Sequence, residues 1–301
     1  MTDRCLVLVR AGDQSLHPSW FENGGPVAWD FAISCFGKPP RAAERAIFVH
    51  MQKGPKWIGL AATLREHEEL IRSYDYVWLP DDDITCSADT VNRMFATVRR
   101  YGLELAQPAL DPSSYFSHTI TLRHEGFELR FTNFVELMVP IFSRGMLERA
   151  RPTMEDSLSG WGLDLLWSQL GQLGQVGILD CAAVRHTRPV GGPNYQHVSQ
   201  GGTSTGAEFA EAMARLSMDR IPDDAINFGG VAVDGGFVGI SDRYFEMEAF
   251  LRALNAGIER LEIDMVKRTR YLAHHWNFAV RQPRSFPRHM VHDHLRQRLP
   301  K

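Results

Sequence analysis

Residues 74–84 read Tyr74-Asp75-Tyr76-Val77-Trp78-Leu79-Pro80-Asp81-Asp82-Asp83-Ile84, an aromatic and apolar run that breaks at a proline into three consecutive carboxylates. The run predicts a buried strand, which puts the carboxylates at its carboxyl end, where open α/β sheets bind their ligands. In an extended segment side chains two apart face the same way, so Asp81 and Asp83 are expected to converge on one cation while Asp82 points elsewhere. Such oxygen ligands suit Mg²⁺ or Mn²⁺. If the substrate is a nucleotide-sugar, the ion neutralises the diphosphate and stabilises it as a leaving group. An acidic, solvated turn ahead of a helix has the same appearance.

On the amino-terminal side, apolar runs at residues 5–9, 30–34 and 46–51 alternate with a helical pattern at 58–72, which is the rhythm of βαβ units. On the other side, Ser87 caps a helix over 89–101 with Val91, Met94, Phe95 and Val98 on one face, and a strand follows at 103–109. Residues 118–123 and 127–132 flank Glu125-Gly126 as an expected hairpin, and 134–143 reads as a largely apolar strand. Leu163, Leu166, Trp167 and Leu170 recur at helical spacing before strand character returns at 175–180. The expected fold is therefore α/β, a Rossmann-type mixed sheet flanked by helices, with a first unit over 1–193. Residues 194–206 are glycine-rich and polar, 226–240 hold an expected hairpin around Asp234-Gly235-Gly236, and 244–279 look mainly helical. The region 194–301 is thus read as a loop followed by a mainly helical extension.

Composition narrows the function classes. The 301 residues carry 33 Lys or Arg against 36 Asp or Glu, a net charge of −3, so no overall field recruits nucleic acid. The cysteines, at 5, 35, 86 and 181, form no CxxC pair and read as reduced thiols, which fits a cytoplasmic protein. No stretch approaches the roughly 18 apolar residues that span a bilayer. Dinucleotide, P-loop and serine hydrolase signatures are all missing. From Met265 to Lys301 nine cations face one acid, with Trp276, Phe278 and Phe286 between them. That tail is expected to dock on an anionic membrane surface or polyanionic glycan, or to pack on the acidic remainder of the chain or a second subunit.

Two further elements carry chemistry. Ser159-Gly160-Trp161-Gly162-Leu163-Asp164 sets an aromatic and a carboxylate around glycines at a helix start, a combination suited to a carbohydrate hydroxyl or to a plain cap and core filler. His186 ends the segment 178–185 and offers a nitrogen ligand to a metal held by the aspartates. Arg10 after the first strand, and Lys53, Lys56 and Trp57 between the third strand and a helix, lie where a donor diphosphate would sit.

The ordered blocks 74–84, 103–111, 118–123, 134–144 and 160–164 resemble the family known as domain of unknown function 707, which is itself similar to GT-A glycosyltransferases; the resemblance covers roughly residues 5–192. It implies a GT-A-like fold, an Asp81/Asp83 metal site with His186 as a late third ligand, and Asp164 where acceptor-side acids lie; Asp82 is expected on the donor side, and Trp161 and His118 on the acceptor side. Many GT-A enzymes with Gly-Trp-Gly carry two consecutive acids afterwards, whereas here Leu165 follows Asp164. Glu136 is a second carboxylate expected to face the cleft. The implied activity is metal-dependent sugar transfer from a nucleotide-sugar to a glycan or other hydroxyl acceptor, with inversion if Asp164 is the base. A metal-dependent nucleotidyltransferase and a non-catalytic nucleotide-sugar or glycan-binding protein are the alternatives.

Overall fold

The computed structural model describes residues 4–22, 25–38, 40–189, 205–218, 225–240 and 288–300. Its centre is a mixed sheet flanked by helices. The strands are β1 (Cys5–Ala11), β2 (Asp30–Cys35), β3 (Val49–Met51), β4 (Tyr76–Trp78), β5 (Ile84–Thr85), β6 (Leu105–Leu110), β7 (Phe127–Thr132), β8 (Ile141–Ser143), β9 (Val176–His186), β10 (Asn227–Ala232) and β11 (Phe237–Gly239). Their order is β11-β10-β7-β9-β6-β8-β4-β1-β2-β3, with β5 paired to β9 off this path. Strands β1 to β4 are parallel, β8 runs antiparallel between β4 and β6, and β9 is parallel to β6. Six strands therefore point their carboxyl ends to one edge of the sheet.

β1 is buried along its whole length because both its faces are covered, as in parallel sheets. Leu6 and Leu8 pack with α1 (Lys56–Glu66), α4 (Arg144–Met154) and α5 (Leu163–Leu170), while Val7 and Val9 face the side of α3 (Ala88–Tyr101). α3 begins where its sequence signals it: Ser87 Oγ accepts from Thr90 N, and Gly102 ends the helix in the left-handed region. Its residues Val91, Met94, Phe95 and Val98 are all buried. The expected helix over 58–72 is split at His67 into α1 and α2 (Glu68–Ile71). The four cysteines are free thiols.

Two expectations are overturned. Residues 118–123 are not a strand and do not pair with 127–132; they form a 3₁₀ turn at Thr119–Thr121, and β7 pairs instead with β9 and β10. The reason is a buried guanidinium. Arg130 of β7 donates to Ile120 O at 3.0 Å, to Leu122 O at 2.7 Å and to both carboxylate oxygens of Asp180 on β9. Those carbonyls are satisfied by a side chain rather than by a ladder. The strand expected over 134–143 also shrinks to β8, because Pro140 and a turn at 137–138 leave 134–140 as a loop. In the opposite sense the strand expected at 175–180 runs on to His186 as β9.

The hairpin around Asp234-Gly235-Gly236 is present as β10 and β11, with Gly235 at φ +88°, and it extends the same sheet through β7. Residues 205–206 begin the helix Thr205–Arg215, whereas the rest of the glycine-rich stretch and the helical reading of 244–279 lie outside the described residues. Part of the basic tail is described, as the helix Arg288–Arg298. It packs back on the sheet: Leu295 is fully buried, the His292 ring lies 2.8 Å from Phe228 O, Arg296 lies over the Phe237 ring, and Arg298 donates to Leu173 O. Among the described residues no helix is long and apolar enough to cross a membrane.

Candidate functional site

The carboxyl ends of β4 and β9 meet at the acidic turn. After β4, Leu79 N donates to Pro140 O and Asp81 N to Met138 O, so the segment stays against the loop 134–140 before turning at Asp82 and Asp83. β5 then pairs antiparallel with the end of β9, with Ile84 opposite His186. That register sets Asp83 beside His186, and Thr187 N and Oγ1 both donate to Asp83 O. One oxygen each from Asp81 and Asp83 and one ring nitrogen of His186 lie within 4.8 Å of one another. The arrangement comes from a turn and a strand pairing, not from a continuous extended strand.

Each side chain of this cluster is held from behind. Tyr115 O lies 2.8 Å from His186 Nδ1 and has no proton to give, so Nδ1–H donates and Nε2 faces Asp83 Oδ2 at 3.2 Å. Burial pushes the Asp83 carboxyl up, but the hydrogen bond and charge of His186 and the charge of Arg188 outweigh it and hold the group below its ordinary value. Burial alone would lower His186; the hydrogen bond and charge of Asp83 raise it instead. Asp83 Oδ1 is buried without a hydrogen-bond partner. Asp81 is raised by burial against the pull of Lys56, whose Nζ lies 2.6 Å from Oδ1 and also donates to Leu137 O at 2.7 Å.

Asp82 turns away from the cluster. Its Oδ2 accepts from Gly12 N at 3.1 Å, and its Oδ1 from Arg188, which also donates to Gln14 O at 2.7 Å. Arg188 therefore ties the acidic turn to the loop after β1. No sequence reasoning singled it out, although it lies two residues beyond His186.

Arg10 is buried at the end of β1, where it donates to Ser34 Oγ and Gly54 O while its Nε has no partner. Burial lowers its pKa to about 10. The guanidinium packs directly on Gly59, where an added Cβ would force it to shift. Lys53 is exposed in the loop after β3. Trp57 lies under Lys56, whose Nζ is 4.5 Å from its ring centre. It is 2% exposed and packs edge-on to Trp167 at 4.8 Å.

Glu136 lies on the loop 134–140 rather than on a strand, anchored by its own N–H donating to Gln107 Oε1 at 2.6 Å. Gln107 is a fully buried residue of β6, an anchor that sequence reasoning also missed. Glu136 is 5% exposed and its Oε2 has no partner. Burial first, then the charge of Asp164, pushes its pKa up to about 8, and the charges of His186 and Asp81 also reach it. Asp164, in the first turn of α5, is half-buried, and burial pushes it up to about 6 although Oδ1 accepts from Leu165 N at 2.9 Å. Trp161 is 52% exposed, between glycines at φ +77° and +83°. The His118 ring is half-buried and stacks obliquely on Phe134 with centroids 4.6 Å apart.

A family model described as "Protein of unknown function (DUF707)" matches residues 40–215, more than half of the chain. No curated protein matches. Among solved structures, S. aureus TarS is similar at TM-score 0.42 and 8% identity over 70% of this chain, which spans 43% of TarS. S. aureus TarS 1-349 gives a TM-score of 0.48 at 11% identity over 92% of this chain and 81% of that one. The same fragment in complex with UDP-GlcNAc gives 0.45 at 12% identity, again over 92% and 81%.

Proposed function

We propose that this chain, which belongs to the DUF707 family, is a metal-dependent glycosyltransferase that moves a sugar from a nucleotide-sugar donor to an acceptor hydroxyl. The observation that carries the reading is the convergence of Asp81, Asp83 and His186 at the carboxyl ends of β4 and β9. The residues fit a cation. Asp83 Oδ1 is a buried acceptor with nothing to accept from, and the backbone carbonyl behind His186 fixes its Nδ1 proton, the usual support of a metal-ligating imidazole. Two carboxylates and an imidazole suit Mn²⁺ or Mg²⁺. A bound ion there supplies positive charge to the diphosphate as it leaves.

The chain's own groups divide the remaining work. Arg188 and Lys56, each now spent on an aspartate, are the cations nearest the acidic turn and are placed to turn to a diphosphate. Arg10 and Lys53 line the donor side from β1 and from the loop after β3. On the acceptor side Trp161 offers an exposed ring for a sugar face, and His118, packed on Phe134, is the second aromatic group assigned to that side.

Two carboxyls on this side differ in their protonation state. Glu136, at about 8, stays protonated near neutral pH, whereas Asp164, at about 6, is ionised and takes the acceptor proton. The acceptor oxygen bonds to the anomeric carbon as the bond to the diphosphate breaks, and direct displacement inverts the configuration. The test is product analysis with a panel of nucleotide-sugars and Mn²⁺. Free nucleoside diphosphate together with a sugar-modified acceptor supports the reading. Release of pyrophosphate would point to nucleotidyl transfer, and metal-dependent binding without turnover to a binding protein.

A further inference from the structure

The loop that carries Trp161 and Asp164 is held by a residue nearly fifty positions downstream. Glu208, on the helix Thr205–Arg215, accepts from Ser157 Oγ at 2.6 Å, from Ser159 N at 3.1 Å and from Ser159 Oγ at 3.0 Å. The two serine hydroxyls pass that order on, because Ser157 Oγ accepts from Gly160 N and Ser159 Oγ from Trp161 N. One carboxylate thus orients the hydroxyls that accept from both amides of the Gly160-Trp161 step.

The next residue secures the other end of the turn. The Phe209 ring occupies the space beside Gly162, where a Cβ would lie 2.0 Å from it. Gly162 is the left-handed residue that starts α5 and so aims Asp164. Arg215 pairs with Asp156 on the same approach, and Phe209, Ala212 and Met213 pack on the core beneath α1, α4 and α5. Glu208 bonds neither Asp164 nor any member of the Asp81/Asp83/His186 cluster in this arrangement.

We infer that Glu208 is a positioning residue for the acceptor side of the site, setting the Gly160–Gly162 turn so that the Trp161 ring and the Asp164 carboxylate face one acceptor hydroxyl. This rests on the sugar-transfer reading for the role of the turn, but the clamp itself can be measured without activity. In full-length protein, amide hydrogen exchange at residues 159–161 is compared for the parent, Glu208→Gln and Glu208→Ala. Losing one charge-assisted hydrogen bond corresponds to about a tenfold faster local opening. Glu208→Ala should therefore exchange at least that much faster there, and Glu208→Gln, which keeps one acceptor oxygen, should fall between.

With donor and acceptor in hand, Glu208→Ala should raise the acceptor KM or lower kcat by about tenfold, while nucleoside diphosphate binds as in the parent. Unchanged exchange at 159–161, or unchanged acceptor kinetics with a faster-exchanging loop, would overturn the inference. If the parent itself transfers no sugar, accelerated exchange still establishes the clamp, and the failure belongs to the sugar-transfer reading.

Discussion

Replacing Asp164 by Asn isolates the proposed base from the rest of the site. The amide keeps the oxygen that accepts from Leu165 N at 2.9 Å, so the start of α5 should be undisturbed. What it loses is a carboxylate whose pKa burial pushes up to about 6. The sign follows from its role: a base works deprotonated, so the rate should stand on a plateau above that value and fall as pH drops through it. At pH 7 roughly nine-tenths of the group is ionised and at pH 5 roughly a tenth, by the tenfold-per-unit rule.

General acid/base catalysis contributes at least about a hundredfold, or about 2.7 kcal/mol of transition-state stabilisation, so Asp164→Asn should lose that much kcat with little change in donor affinity. The assay is nucleoside diphosphate release from a saturating donor between pH 5 and 9, for parent and variant. The parent should show an acid limb near pH 6, and the residual rate of the variant should not. Turnover within about threefold of the parent, or the same limb surviving in Asp164→Asn, would remove Asp164 from the chemistry.

Two predictions concern the scaffold. Asp180→Ala leaves the Arg130 guanidinium buried and without its carboxylate partner, which should cost about 3–5 kcal/mol in urea unfolding; a loss below about 1 kcal/mol would refute the role given to that pair. Gly162→Ala forces a side chain into a left-handed residue against Phe209 and should cost about 1–3 kcal/mol. Gly37→Ala, where an added Cβ meets nothing within 4 Å, should not lower the thermal midpoint, and equal behaviour of the two variants would contradict the packing at Gly162.

The parts of this fold that were legible in the sequence are those where local pattern and tertiary demand agree. The run 74–84 had to be a strand ending in acids, and Ser87 with the stripe from Val91 to Val98 had to be a capped helix. The expected hairpin at 118–132 failed because Arg130 turns inward to Asp180 and takes the carbonyls a partner strand would have used. No local pattern marks a buried arginine. The apolar content of 134–143 suggested one strand, but Pro140 stops the ladder, and the resulting loop presents Leu137 O and Met138 O to Lys56 and Asp81. At the site, Asp81, Asp83 and His186 were legible as types at strand ends, whereas Arg188, Gln107 and Glu208 act through long-range bonds. A signal for the last was present: Phe209, Ala212, Met213 and Leu216 recur at helical spacing, next to a glycine-rich run that reads as loop.

The measurement closest to the central claim is calorimetric titration of a panel of nucleoside diphosphates into the parent protein and into Asp83→Ala, each with and without Mn²⁺. Asp83 touches the rest of the fold through its backbone carbonyl, which the substitution keeps, and through the His186 ring, which it releases, so circular dichroism should match the parent and is checked before binding is compared. The account predicts binding to the parent only when Mn²⁺ is present, and loss of that metal-dependent binding in Asp83→Ala. Equal binding by both proteins, or binding by the parent that ignores the metal, would reduce the acidic cluster to a turn and contradict the account.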